Sequence, residues 1–168
     1  MSTYHGQHHW AWSRPLSGVS YKSISMEYIK STSQDGNDLS EIRASAMKPS
    51  LEALGRFDDN RVRSRFLETF NPEETFKIIE ANELMGFYVV RFKEDHCYLD
   101  HLYIKPEYQN RKLGKSVVEK VVLDARNMNL PVRLGALRGS RSNDFYSKNG
   151  FVKTHEDDFD IYYEYVVT

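Results

Sequence analysis

An α/β domain built on a mixed, mostly antiparallel sheet is the fold class that this chain predicts, and three observations carry it. Strand-like and helix-like segments alternate from Met26 to the C-terminus, which argues against a helical bundle or a β-sandwich. Three strand-like runs follow one another across short links at Asn82-Glu83 and Glu94-Asp95, and links that short join antiparallel neighbours. The terminal run Phe159, Ile161, Tyr163, Tyr165, Val167 alternates as a sheet with one buried face requires. About seven strands flanked by about four helices are expected in a single domain over residues 26–168.

The first element is a strand over Met26–Ser31, followed by a turn at Gln34-Asp35-Gly36-Asn37. Asp38 and Glu41 have the spacing of a capping box and open a helix expected to reach Met47, where Pro49 interrupts it. Asp58 and Asp59 precede a second helix whose Val62, Phe66 and Phe70 lie on one stripe, ended by Asn71-Pro72. Strands are then expected over Thr75–Ala81, Met85–Lys93 and His96–Ile104. After Pro106 the period changes, and Leu113, Val117, Val121, Ala125 and Met128 mark one face of a third helix. A strand over Pro131–Leu137, a short helix over Arg141–Lys148 closed by Asn149-Gly150, and two final strands complete the chain.

Composition narrows the function classes. The 168 residues are 40% hydrophobic and 28% charged, which suits one soluble domain with its own core and excludes disorder and a membrane protein. With 23 basic and 24 acidic residues the net charge is -1, so there is no global footprint for nucleic acid and any anion site must be local. The single cysteine, Cys97, excludes an intrachain disulfide, and no Cys/His ladder suggests zinc. A reducing, cytoplasmic setting is the natural reading. Residues 1–25 show no helical or strand period and read as a leader, not a signal peptide. Their His5, His8 and His9 lack a carboxylate or cysteine at matching spacing, so no metal is expected.

The informative stretch is the junction between the central strand and the third helix. There the first turn of the helix presents backbone N–H groups without partners, and its dipole favours an anion. Gln109-Asn110-Arg111-Lys112-Leu113-Gly114-Lys115 sits at this junction and adds positive charge beside a glycine. Spacing alone leaves two readings open, a phosphate site or a solvated basic turn.

The stretch from Tyr98 to Lys115 resembles the acetyl-CoA-binding motif of the GNAT superfamily of N-acetyltransferases, whose core is Gln or Arg, two residues, Gly, one residue, then Gly or Ala. Gln109 and Gly114 match its ends, and Lys112 stands where the inner glycine belongs. Downstream, Asp144-Phe-Tyr-Ser-Lys-Asn-Gly-Phe151 resembles a second family segment, and the order of elements from Met26 onward resembles the family's. Gly139-Ser140-Arg141-Ser142 occupies the place where many members carry an asparagine that orders the cofactor arm.

The resemblance implies a GNAT-like domain that uses acetyl-CoA as cosubstrate and no metal. It implies that Gln109 to Lys115 hold the pyrophosphate and that free backbone N–H groups of Leu102, Tyr103 and Ile104 meet the thioester and the pantetheine arm, where that strand parts from its neighbour Val132–Leu137. Tyr146 matches the family's tyrosine near the coenzyme A sulfur and is the expected proton donor. Asp100 is the expected general base, ahead of His101; alternation places Asp100 with Leu102 and Ile104, and His101 with Leu99 and Tyr103.

The acceptor is expected to be a primary amine of a small molecule, amino acid or peptide, recognised by residues 47–57 and the C-terminal strands. The competing reading is a non-catalytic acyl-CoA-binding or sensing domain, and a nucleotide site lacks both a Walker lysine pattern and a dinucleotide glycine fingerprint. Homodimerisation is expected through an exposed aromatic edge of the C-terminal strands.

Overall fold

The computed structural model describes residues 25–168; the expected leader, with His5, His8 and His9, lies outside the described residues. Seven strands form one sheet: β1 (Glu27–Lys30), β2 (Thr75–Glu80), β3 (Glu83–Phe92), β4 (Cys97–Ile104), β5 (Val132–Leu137), β6 (Val152–Glu156) and β7 (Asp160–Tyr165). Their order is β1-β2-β3-β4-β5-β7-β6. Every neighbouring pair is antiparallel except β4 with β5. Between these two runs the helix α3 (Leu113–Asn127), the crossover that a parallel pair requires. The other helices are α1 (Gly36–Ala53), α2 (Asp59–Glu68) and α4 (Ser142–Lys148), and among the described residues no helix is long and apolar enough to cross a membrane.

The helices divide between the two faces of the sheet. Leu113, Val117, Val121 and Ala125 of α3 pack with Cys97, Leu99, Val132 and Leu134 of the sheet, and α4 adds Tyr146 to the same cluster. Met128 departs from the expected stripe and is 54% exposed, because it caps α3 instead of continuing it. On the opposite face Leu39 and Ile42 of α1 and Phe66 of α2 pack on Phe87 and Val89 of β3. Each such side chain, removed from water, contributes roughly 1.5–3 kcal/mol.

Several local expectations give way to longer-range contacts. The first helix does not stop before Pro49 but continues to Ala53. Proline there removes one donor, while Met47 is held from across by the Tyr103 hydroxyl, 3.3 Å from its sulfur. The stop is Gly55, at φ 66°, with Gly55 N–H bonded to the Glu52 carbonyl and Arg56 N–H to the Leu51 carbonyl. This paired closure needs a residue in the left-handed region, which glycine enters without penalty.

At the other end of α1 the spacing of Asp38 and Glu41 is not used as a cap. Asp35 instead accepts the Thr32 N–H at 2.8 Å in a 3-10 turn (Ser33–Asp35) that runs straight into α1, and Glu41 pairs with Arg63 of α2 at 2.9 Å. At the C-terminus β7 is not an edge, because β6 pairs along its outer side. The edge so formed exposes Val152, Lys153, Thr154, His155 and Glu156 instead of an aromatic row.

Two irregularities shape the centre of the sheet. Val89 lies opposite His101 and Val90 opposite Leu99, so Asp100 is the extra residue of a β-bulge in β4. The bulge breaks the expected alternation. Leu99, Leu102 and Ile104 join the cluster under α3, whereas His101 meets the Phe66 ring and Tyr103 meets Met47 on the side of α1 and α2. Asp100 turns with His101, not with Leu102 and Ile104, and binds Arg91 on that side.

Second, β4 and β5 pair only at Cys97 with Val132 and Tyr98 with Arg133. Beyond that point the strands part as a fork, and the backbone groups of Leu102, Tyr103 and Ile104 that face β5 have no ladder partner there. Both strands still have antiparallel neighbours on their outer sides, β3 and β7, which hold the fork open.

Candidate active site

The open end of the fork meets the start of α3. A 3-10 turn (Pro106–Tyr108) follows β4, and the Gln109 side-chain amide donates to the Ile104 carbonyl at 3.1 Å, tying the turn to the end of the strand. Asn110 and Lys112 both adopt the left-handed region, at φ 66° and 60°. That conformation costs a non-glycine residue roughly 1–2 kcal/mol, and it aims the backbone of the turn along the axis of α3.

Lys112 is the N-cap of α3, and its side chain cannot accept a hydrogen bond. The first helical bond runs from Ser116 N–H to the Lys112 carbonyl at 3.2 Å. The N–H groups of Leu113, Gly114 and Lys115 precede it, so they are the orphan donors of the first turn. Arg111 is bound to Glu80 at 2.9 Å and Lys115 approaches Glu119 at 3.9 Å, whereas Lys112 has no carboxylate within ion-pair distance among the described residues. Backbone donors, a dipole and an unclaimed ammonium converge there, and they fit a pyrophosphate.

Gly114 links this turn to α4. A Cβ at Gly114 would lie 3.3 Å from the Phe145 ring, so the missing side chain lets α4 seat against α3. The next residue, Tyr146, is only 7% exposed, with its ring against Phe145, Phe151 and Tyr163. Its hydroxyl has no hydrogen-bond partner among the described residues. Burial, with a smaller contribution from Tyr103, pushes its pKa up, so the phenol stays protonated at neutral pH and can donate. Asn143, which sequence reasoning passed over, braces this helix: its amide donates to the Leu137 carbonyl at 2.9 Å and its oxygen accepts from Tyr163 at 2.8 Å.

Across the sheet the polar groups are differently committed. Arg91 holds the Asp100 carboxylate at 2.9 Å and also binds Glu74 and the Thr69 carbonyl. His101 lies 3.7 Å from Asp100 and 3.5 Å from the Tyr103 hydroxyl. Burial pulls its pKa down to about 4 against the pull of Asp100, with Arg43 and Arg91 adding to the fall, so the imidazole is neutral at pH 7. Nothing in the sequence marks Arg91 as the partner of Asp100.

The α1–α2 connection and the β6–β7 turn close over the same side. Arg56 stacks on Phe159 at 4.3 Å, so Phe159 stands at the turn, 53% exposed, instead of in the buried row. Asp157 stiffens that turn by accepting from the N–H groups of Phe159 and Asp160 and from the Tyr162 hydroxyl. A separate cleft of about 320 Å³, bordered by Tyr98, Arg133, His155 and Tyr162, lies where Tyr98 pairs with Arg133. No group of His, Cys, Asp and Glu among the described residues could hold a metal ion.

A family model described as Acetyltransferase (GNAT) domain matches residues 72–153, the span from the short turn before β2 through the fork, α3 and α4 to the start of β6. The chain belongs to the GNAT superfamily. GNAT structures share its fold. The PaiA N-acetyltransferase of Thermoplasma acidophilum, solved in complex with coenzyme A, is 22% identical over 85% of this chain and 99% of its own, with a TM-score of 0.71. A GNAT acetyltransferase of Staphylococcus aureus is 20% identical over 86% of this chain and 100% of its own, at 0.67. The ribosomal-protein-S18-alanine N-acetyltransferase of Escherichia coli is 14% identical over 86% of this chain and 95% of its own, at 0.65. No curated protein matches the sequence. The GNAT domain here is one α/β unit with a seven-stranded, mostly antiparallel sheet and four helices, as expected from the sequence.

Proposed function

We propose that this protein transfers an acetyl group from acetyl-CoA to a primary amine of a small molecule, amino acid or peptide. The observation that carries the reading is the fork itself: orphan N–H groups of α3 stand at its open end, and an unpartnered phenol, Tyr146, stands beside it on α4. Membership of the GNAT superfamily and a solved relative that contains coenzyme A support the choice of cosubstrate. A cytoplasmic setting suits that cosubstrate, and Cys97, whose thiol burial pushes up to about 12, is unsuited as a nucleophile.

In this reading Gln109 fixes the turn to β4, Asn110 and Arg111 shape and charge it, and the backbone of Lys112, Leu113, Gly114 and Lys115 receives the pyrophosphate, with the Lys112 ammonium leaning onto it. The free backbone groups of Leu102, Tyr103 and Ile104 orient the arm and polarise the carbonyl. Bound acetyl-CoA supplies an acyl carbon to which the amine nitrogen bonds as the carbon–sulfur bond breaks. Tyr146 gives its hydroxyl proton to the departing thiolate and regains one from the amine nitrogen. Both the place of Asp100 in the bulge and its hydrogen bond from Arg91 suit it to fixing the polar neighbours on that side of the sheet.

The test is calorimetry with coenzyme A followed by thiol release from acetyl-CoA across an amine panel. Binding with amine-dependent thiol release is the expected outcome. Binding without turnover by any amine indicates a sensor, and no affinity at millimolar coenzyme A removes the assignment.

A further inference from the structure

The acceptor's own recognition group can be read from the carboxylates around the fork. On the side of α1 and α2 nearly all are taken: Asp100 and Glu74 by Arg91, Glu164 by Arg133 at 2.7 Å, and Glu41 by Arg63. Asp160 is not. Its carboxylate has neither an ion pair nor a hydrogen bond among the described residues.

Its place is fixed by the backbone. Asp160 opposes Leu137, the last residue of β5, and therefore stands at the open end of the fork. Its neighbour Ile161 packs into the cluster under α3, so alternation directs Asp160 and Tyr162 to the opposite face, the side of α1 and α2, and the adjacent Phe159 carries the stacked Arg56 guanidinium. The turn is held by the Asp157 carboxylate on the Asp160 N–H at 2.7 Å and by Arg138 N–H on the Phe159 carbonyl at 2.8 Å.

Electrostatics agree with that placement. Tyr98 and Tyr103, both on β4 across the fork, have raised pKa values chiefly through burial, with Asp100 and Asp160 both adding to the rise. Tyr103 in turn adds to the rise at Tyr146. The carboxylate is thus within Coulombic range of groups that line the gap, with the proton donor on the far side. Burial, then repulsion by Asp157, holds the Asp160 carboxyl above the usual carboxylate range, opposed by Arg65 of α2, which makes it a stronger proton acceptor than an ordinary aspartate.

We propose that Asp160 is the receptor for the acceptor's ammonium group and its proton acceptor. This rests on the acetyl-transfer reading and narrows the acceptor to amines that arrive protonated. One N–H bond of the ammonium breaks, its electron pair stays on nitrogen as the attacking lone pair, and the proton forms an O–H bond on Asp160, which then returns it to water.

The experiment compares two thioethers by calorimetry, S-(2-aminoethyl)-coenzyme A, whose ammonium extends past the sulfur, and S-propyl-coenzyme A, its uncharged counterpart. Wild type should prefer the ammonium form roughly tenfold, on the scale of one charge-assisted contact. Asp160→Asn and Asp160→Ser should both lose the preference while binding the propyl thioether as wild type does, which also reports an intact fold. A wild type without preference, variants that keep it, or variants that weaken both thioethers equally would overturn the assignment. Failure of wild type to bind either thioether is a different pattern, and it removes the coenzyme A reading on which the assignment rests.

Discussion

The Phe145 ring lies 3.3 Å from the point where a Cβ on Gly114 would stand, so the first turn of α3 and the helix that carries Tyr146 touch through an absent side chain. Gly114→Val forces that ring aside. Overpacking of this kind costs about 1–3 kcal/mol, and the urea midpoint should fall accordingly. Coenzyme A affinity should fall as well, roughly tenfold, because the same displacement disturbs both the orphan donors and Tyr146.

Tyr146→Phe removes one hydroxyl that has no protein partner among the described residues, and leaves the packed ring in place. Stability and coenzyme A affinity should therefore stay at wild-type levels. Steady-state kinetics should show kcat lower by roughly 10²-fold, the usual scale for losing a positioned proton donor. An unchanged kcat assigns the phenol to packing alone.

Lys112→Gly separates strain from charge. Relief of the left-handed conformation at φ 60°, less the entropy cost of glycine, should raise stability by about 0.5–1 kcal/mol. Coenzyme A affinity should nevertheless fall, and the gap from wild type should narrow as salt is added, since screening weakens the lost ammonium contact. Titrations at low and high ionic strength check both signs.

Arg91→Met strips the charge partner from Asp100 and Glu74 and the donor from the Thr69 carbonyl. Unfolding free energy should fall by about 1–3 kcal/mol, as for hydrogen bonds to charged groups in partly buried sites. Adding Asp100→Asn should recover part of the loss, because the stranded carboxylate is then neutral. A double variant no better than the single one means that Asp100 was not stranded.

His101 gives the fold a pH dependence. Its folded pKa of about 4 lies below the unfolded value, so between pH 6.5 and 4 the unfolded chain takes up a proton that the folded chain refuses. Stability is then lost as pH falls through that window, on the order of 1–3 kcal/mol. His101→Phe, placed against the Phe66 ring, should flatten the slope measured by urea unfolding at a series of pH values.

The stripe of α3, the turn Gln109 to Lys115 and the alternating strand β7 were all legible in the residues. Hydrophobic period and turn chemistry act between neighbours a few positions apart, and a string of letters retains such neighbours. The bulge at Asp100, the hold of Arg91 upon it, the passage of α1 through Pro49 and the bracing of Asn143 by Tyr163 were not legible. Each is settled by a partner supplied from another element, and the energy of such a contact exists only once the chain has brought the two together. The carboxylate of Asp160 belongs with them: its identity is local, but that it forms no ion pair among the described residues is a property of the assembled sheet.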